Sequence, residues 1–523
     1  MKLTARSIHK WAGLLAALWL AVLGTTGFLL DHREWRWMWQ AKVDAGWLPE
    51  RLVKTADNAV ARIIRANPEN TSHRLAGSPR GLWRTEDGGK NWQRPLFEGY
   101  GARQPQVFSI EADPELGWRR LWVGSDDGVW LSLDEGRTLR PFALFGERVT
   151  SLAHSGRPGE LLGVRERSGI FRLPTSGASV PQWLELAPPS SGMMPDEISL
   201  SRWLLDLHTG KGLLGQFVSG LINDFAGLAW LVLAISGLLY WLTVRRWKRN
   251  RRVPDGGRRT LAWLVNSHSS TIGICAAVPI LYLSISGIYY GHFADLSPWA
   301  KAVKVGREWQ MPAYSPSSWD GWIEGAATYP NEPDMISVGT RLGLFTSRDS
   351  GRTWVLEAAS GIEMDAARKV IRIGDGVFVP NGMAAPVYMR QGGDEWMKVH
   401  RFEAWVGRHL PAEVMPWGQG KLAWRHGRDL YITDFRVSEI ETTQAKLLLP
   451  KDDGVPWFYV ISRLHSGVLI HPQWKWVNDL FALLALTLVA TGLVRWWKRK
   501  WLNAVPRNAG NARIHAPLRA RQA

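Results

Sequence analysis

Four stretches of the chain stay apolar for about 18 to 20 residues, enough to cross bilayer hydrocarbon at the helical rise. They are Trp11 to Leu30, Phe225 to Val244, about Thr271 to Tyr290 and about Val477 to Val494. Between the first and second, and again between the third and fourth, the pattern changes to short apolar or alternating runs bounded by Gly, Asp and Ser, which predicts β-strands. The chain therefore divides into 1–30 (N-terminus and first span), 31–217 (β segment), 218–245 (second span), 246–264 (basic loop), 265–291 (third span), 292–473 (second β segment), 474–497 (fourth span) and 498–523 (basic tail). The predicted fold class is an integral membrane protein of mixed type: a four-transmembrane-helix bundle built from a tandem repeat, plus an all-β, propeller-like extracytoplasmic domain.

Charge sharpens the topology. The formal net charge is +17, yet residues 1–10, 245–260 and 495–523 together hold nineteen basic residues against one acid, Asp255, so the rest of the chain is near neutral. These short basic segments are predicted to be cytoplasmic by the positive-inside rule, which puts both termini inside and both long segments outside. The basicity is thus a membrane signature and not a nucleic-acid footprint. A cleaved signal peptide is the competing reading of the first span, but no small-x-small site follows Leu30. The single cysteine, Cys275, excludes an intrachain disulfide and every thiolate-based zinc or iron–sulfur site.

The two halves repeat. Asn223-Asp224, Ser236-Gly237, Trp241 and Arg245 answer to Asn478-Asp479, Thr491-Gly492, Trp496 and Lys500; His9, Gly13, Gly27 and His32 answer to His268, Gly273, Gly287 and His292. Parallel repeats of this kind imply a pseudo-twofold axis along the membrane normal, with equivalent residues facing each other across it.

A shorter repeat runs through the β segments. Thr85 to Trp92, Ser132 to Leu139 and Ser347 to Trp354 resemble the Asp-box (BNR) turn, S/T-x-D-x-G-x-T-W. In it Asp binds backbone amides, Gly takes a positive φ and an aromatic packs below. Each follows an apolar triple: Gly81-Leu82-Trp83, Gly128-Val129-Trp130 and Gly343-Leu344-Phe345. Weaker echoes are Gly169-Ile170-Phe171, Val387-Tyr388-Met389 ahead of Gly392-Gly393-Asp394-Glu395-Trp396, and Leu430-Tyr431-Ile432. The spacing of about 41 to 47 residues is that of a propeller blade, about three per segment. Three blades cannot close a ring, whereas three plus three could. Asp boxes are structural elements and receive no catalytic role, and nothing in the pattern singles out a sialidase set.

Histidines at span ends carry the candidate chemistry. His9 and His268 stand at the cytoplasmic starts of the first and third spans; His208 and His465 precede the second and fourth on the outer side. A b-type haem needs two imidazoles on opposite faces of one iron, each from a separate helix at a common depth, and pseudo-twofold pairs supply that. His9 with His268 would hold an inner haem and His208 with His465 an outer one, two haems b in all. His32 and His292 are alternative outer ligands or residues of an outer gate. The rival reading makes all of these interfacial residues bonded to headgroups and backbone. Asp224 and Asp479 would either orient a histidine and carry a proton, or cap helices.

These features together resemble the PepSY-associated transmembrane-helix family, whose members include inner-membrane reductases of ferric siderophores. The resemblance rests on Ser7-Ile8-His9-Lys10-Trp11-Ala12-Gly13, like the family's H-R-W-x-G opening, and on Leu207-His208-Thr209-Gly210 and Leu464-His465-Ser466-Gly467, like its L-H-x-G openings. Ser236-Gly237-Leu238-Leu239-Tyr240-Trp241 and Thr491-Gly492-Leu493-Val494 fit its closing segments. It implies a haem-bearing bundle in a bacterial inner membrane that passes electrons outward to a periplasmic acceptor, such as a ferric siderophore or another Fe(III) chelate. The sequence departs from the family pattern at His268, followed by Ser269-Ser270-Thr271 in place of Arg-Trp, and in its blade-like outer segments. The cytoplasmic segments are too short for a flavin or nicotinamide domain, so the donor would be quinol or a partner reductase. The alternative function is a non-enzymatic, membrane-anchored propeller that binds or assembles other molecules. A transporter is disfavoured because charges inside the spans are nearly absent.

Overall fold

The computed structural model describes residues 4–504 apart from 59–60, 102–103, 177–179, 190–195, 251–255, 315–316, 330, 358–368, 374–375, 381–386, 392–394, 399–412, 419–420, 427–428, 435–441, 447–448 and 451–453. The basic tail from 505 onward, Arg251, Arg252, Asp255 and the echo at 392–394 lie outside the described residues. The chain forms two compact units: a helical one (Met1–Asp31, Leu221–Phe293, His465–Ala523) and a β-rich one (His32–Gly220, Ala294–Leu464).

In the helical unit, Ala5–Asp31, Phe217–Asn250 and Lys475–Arg499 are each long and apolar enough to cross a membrane. The third expected span is not straight. It is the pair Gly257–Cys275 and Ala277–Gly291, bent by 60°, so the bundle has four spans only if this pair counts as one. The bend has a local cause. Pro279 has no N–H to give to Cys275 and its ring would collide with that carbonyl, so the helix restarts at Ala277. Just before the bend, Ser267–Ile272 is a π-helical turn that contains His268. The helix begins at Gly257, within the stretch read from sequence as a loop.

Small residues let these helices approach. Ala16, Leu20, Ala229, Ala276, Ile280 and Ala485 form the buried seam, and a Cβ on Gly24 would lie 2.5 Å from the Gly227 carbonyl oxygen. The outward positions are bare and apolar, as at Leu18 (81% exposed) and Val278 (71%), the surface expected of helices solvated by lipid.

The β-rich unit holds six sheets in chain order, among the described residues, besides two short ribbons; their strands pair antiparallel except for Leu96–Phe97, which adds parallel to Thr138–Ala143. Their third strands are Gly81–Thr85, Gly128–Ser132, Gly169–Pro174, Gly343–Ser347, Val387–Gln391 and Asp429–Asp434. Every apolar triple, strong or weak, therefore marks the third strand of a sheet. The sheets pack face to face in cyclic order. Ile63, Leu75 and Leu82 of the first meet Val107, Ile110 and Val123 of the second, and similar seams join the second to the third, the third to the fourth, the fourth to the fifth and the fifth to the sixth. Met415, Trp417 and Leu430 of the sixth then pack on Ile64, Ala76 and Trp83 of the first. The two segments thus complete one propeller-like ring.

The turns at 132–139 and 347–354 are closed by their own side chains. Asp134 accepts from the amides of Arg137 (3.1 Å) and Thr138 (2.9 Å), and Ser132 accepts from Gly136 N (2.8 Å). Asp349 accepts from Thr353 N at 2.8 Å, and Gly136 and Gly351 take φ of 80° and 98°. The long-period repeat is visible too. Lys42–Asp44, at the start of the first segment, pairs with Gly454–Pro456 at the end of the second; Glu197–Ser199, ending the first, pairs with Lys304–Gly306, starting the second. Each ending strand leads into a nine-residue helix, Leu200–His208 or Trp457–His465, that closes on a candidate ligand histidine.

Candidate functional site

His9 and His268 come together in the helical unit. Their ring centroids are 6.4 Å apart and their planes are nearly perpendicular, at 84°. Each ring is anchored through Nδ1 to a hydroxyl on a repeat-related helix: His9 to Thr491 Oγ1 at 2.9 Å, His268 to Ser236 Oγ at 2.7 Å. The direction of these bonds follows from the hydroxyl's other duty. Thr491 already donates its proton to the Thr487 carbonyl at 2.7 Å, and Ser236 donates to Leu233 at 3.2 Å. With the hydroxyl proton given to that carbonyl, its oxygen accepts from Nδ1–H and Nε2 keeps its lone pair; a hydroxyl turned toward the ring reverses these roles.

The glycine after each hydroxyl residue makes room for the ring. Cβ positions built on Gly492 and Gly237 would touch His9 Cε1 at 3.6 Å and His268 Cε1 at 3.5 Å. Were one iron to sit between the rings, two iron–nitrogen bonds of about 2 Å each and the half-widths of two imidazoles would put the centroids about 6 Å apart. Among the described residues, no group of three or more His, Cys, Asp or Glu could hold a bare metal ion.

On the other side of the bundle, His465 repeats the device. Its Nδ1 meets Thr26 Oγ1 at 2.9 Å, Thr26 donates to Val22 at 2.7 Å, and the ring lies against Gly27. His208 belongs to the β-rich unit, half-buried at the end of a helix capped by Ser199.

His292 and His32 are differently engaged. His292 is buried, with Nε2 2.7 Å from Asp479 Oδ2 and its ring 4.6 Å from Trp476. His32 brings Nδ1 to 3.3 Å from Glu34 and stacks on Trp35. Asp479 therefore orients a histidine. It lies inside Lys475–Ala504, and Asp224 lies inside Gln216–Asn250, so neither is a helix cap.

The partners that sequence reasoning missed are the hydroxyls Thr26, Ser236 and Thr491. Their signal was present as a Ser/Thr-Gly step in each span, which had served only to align the repeat. Asn223 and Asn478 were likewise only repeat markers; they accept hydrogen bonds from Tyr282 and Trp19, at 2.5 and 2.8 Å, tying neighbouring helices together.

A repeat-built bundle with a close histidine pair in its membrane helices, joined in one chain to a ring of six sheets, defines a membrane-anchored, propeller-bearing protein. The sequence profile of the PepSY-associated TM region matches residues 6–499, and the chain belongs to that family. Similar solved structures include an ancestral GH74 enzyme (9% identity, TM-score 0.35, 75% of this chain and 39% of that one). Others are the β-propeller domain of Cps50 (Swd1) from Myceliophteria thermophila (10%, 0.32, 75% and 88%) and Sqt1 from Chaetomium thermophilum (8%, 0.32, 74% and 88%). The chain thus spans well under half of the GH74 enzyme, and likeness at this level identifies no function. No curated protein matches the sequence.

Proposed function

We propose that this protein is a transmembrane haem protein that passes electrons from an inner-membrane donor, quinol or a partner reductase, to a periplasmic acceptor such as a ferric siderophore or other Fe(III) chelate. One observation carries the reading. Two repeat-related imidazoles stand 6.4 Å apart within the bundle, each bonded through Nδ1 to a hydroxyl. A b-type haem between them would supply a one-electron iron couple. The chain's own residues do the rest. Thr491 and Ser236 fix ring orientation and basicity, Gly237 and Gly492 admit the rings, and the apolar seam around Ala16 and Ala276 keeps water away.

His208 and His465 are the proposed ligands of a second, outer haem, with the β-rich unit periplasmic and both termini cytoplasmic. The His292–Asp479 pair is suited to moving a proton with the electron. The test is a dithionite-reduced minus oxidised absorption spectrum of the detergent-purified protein, with haem quantified per chain, in wild type, His268→Ala and His208→Ala. About two low-spin b haems, one lost in each variant, is the expected result. A colourless protein from haem-replete cells would overturn the proposal and favour a binding or assembly role for the ring.

A further inference from the structure

Three arginines gather at the end of the bundle that holds His9 and His268. Thr491, Arg495 and Arg499 follow one another at four-residue steps in the last span, so they share one helix face. Both ends of that row touch the histidine segments. Thr491 holds His9 at 2.9 Å, and Arg499 Nη2 donates to Ser269 Oγ, on the π-helical turn one residue after His268. Arg495 stands between these contacts, and its charge acts on both histidines. Arg6 joins from the first span, three residues before His9 and on the same side of that helix.

The helical unit has few carboxylates, and those described lie at its other end. Its acids are Asp31, Asp224, Asp255 and Asp479. Asp479 precedes Arg495 by sixteen residues, about 24 Å along the helix, and is engaged by His292. Asp224 precedes Ser236 by twelve residues, about 18 Å, and Asp31 closes the first span about 33 Å beyond His9. The charges that act on Arg495 are accordingly Arg499 and Arg6, both of its own sign, beside the Tyr240 phenol.

The repeat does not call for this gathering. In the other half, Tyr240 and Val244 answer to Arg495 and Arg499, and Val265 answers to Arg6. The positive-inside rule asks for basic residues on a flank, not for three of them turned toward one another beside a histidine pair. Like charges brought together repel, and an anion set among them removes that cost. All three side chains are exposed, so an incoming anion has access to them.

We propose that Arg495, flanked by Arg6 and Arg499, is a binding site for an anionic oxygen group beside the histidine pair. Carboxylate and phosphate both suit a guanidinium. Two sources supply such a group. One is the carboxylates of a haem held by His9 and His268, which rests on the electron-transfer reading; the other is the headgroup of an anionic phospholipid, which does not.

The experiment uses full-length protein in nanodiscs of phosphatidylcholine mixed with phosphatidylglycerol. Wild type is compared with Arg495→Gln, Arg495→Lys and, as a control, Arg249→Gln, which removes an exposed cation from the end of the second span. One arm measures, per chain, the haem signal that His268→Ala abolishes, and its midpoint potential. The other counts by native mass spectrometry the phosphatidylglycerol retained on each chain relative to phosphatidylcholine. If haem carboxylates fill the site, Arg495→Gln lowers that haem at least about twofold or moves its potential down, Arg495→Lys does so less, and Arg249→Gln has no effect. If a headgroup fills it, the haem is unmoved and Arg495→Gln cuts the retained phosphatidylglycerol at least about fivefold. The proposal is overturned if folded Arg495→Gln matches wild type in both arms, or if Arg249→Gln does as much as Arg495→Gln. Should Arg495→Gln fail to fold, Arg495→Lys and Arg499→Gln carry the same comparison. A colourless protein would sink the electron-transfer reading, and the lipid arm alone would then decide this site. A coloured protein indifferent to Arg495 in both arms would do the reverse.

Discussion

Asp206→Ala removes the one carboxylate shared by Arg202, Arg341 and Tyr314 inside the β-rich unit. The side chain is buried, so its loss leaves two guanidinium groups facing an empty space with no water to replace the lost contacts. Breaking a buried pair by deleting one partner costs about 3–5 kcal/mol. For a unit of this size that is an apparent midpoint about 8 °C lower, at roughly 2 °C per kcal/mol. Asp206→Asn keeps the shape and a bond to Tyr314 while losing the charge, so its loss should be intermediate; Tyr314→Phe should cost about 1 kcal/mol. The assay is thermal unfolding of the full-length protein in nanodiscs, followed by the β signal in far-UV circular dichroism. pH supplies a second check. Burial pushes the Asp206 carboxyl up, but Arg202 and then Arg341 outweigh it and hold the folded value below the usual one. Its contribution is therefore complete above about pH 4, the ordinary aspartate range, and fades as pH falls through the folded value. The gap between wild type and Asp206→Ala should be flat from pH 6 to 8 and narrow below 4. A midpoint for Asp206→Ala within about 1 °C of wild type at pH 7 would refute the reasoning.

Three further outcomes follow from the packing. Gly24→Leu should destabilise the bundle and cut the yield of membrane-inserted protein, because its Cβ would lie 2.5 Å from the Gly227 carbonyl, whereas Gly13→Ala, with 3.6 Å to Leu488, should be tolerated; yield and detergent melting compare the two. Thr491→Val and Ser236→Ala should alter the same haem signal as His9→Ala and His268→Ala, while Thr26→Val should alter the signal lost in His465→Ala, as read by low-temperature absorption and electron paramagnetic resonance. Lys211 has a folded pKa of about 7 against an ordinary value of 10.5, lowered by burial and by Arg33 and Arg341 and raised by Glu324 and Asp206. The unfolded chain binds more protons between those values, so stability should rise with pH from about 7 upward, and Lys211→Met should flatten that slope in melts taken between pH 7 and 9.

Much of this molecule was legible in the chain because its repeats are local. A blade is a run of about 40 residues whose strands pair with their neighbours in sequence, so the triples at Gly81, Gly128 and Gly343 marked strands, which the structure puts third in their sheets. The fainter echoes at Gly169, Val387 and Leu430 did the same without a full Asp box. Hydropathy located the third span but not its bend, because it registers how apolar a segment is and not whether its backbone ladder survives Pro279. The hydroxyls opposite the histidines were visible only as markers of the repeat, since His9 and Thr491 lie 482 residues apart.

By itself, the sequence determined what depends on composition and on nearby residues: apolar lengths, the basic flanks, the twofold repeat, the turn residues of the blades and the kinship of His9 with His268. Tertiary structure alone decided what depends on residues far apart in the chain. It closed the sixth sheet on the first, placed His9 and His268 against hydroxyls on other helices, and gave His292 to Asp479. Such contacts have no signature in spacing, because which donor meets which acceptor is settled by how whole helices and sheets pack, and only that packing reveals which polar atoms remain without a partner.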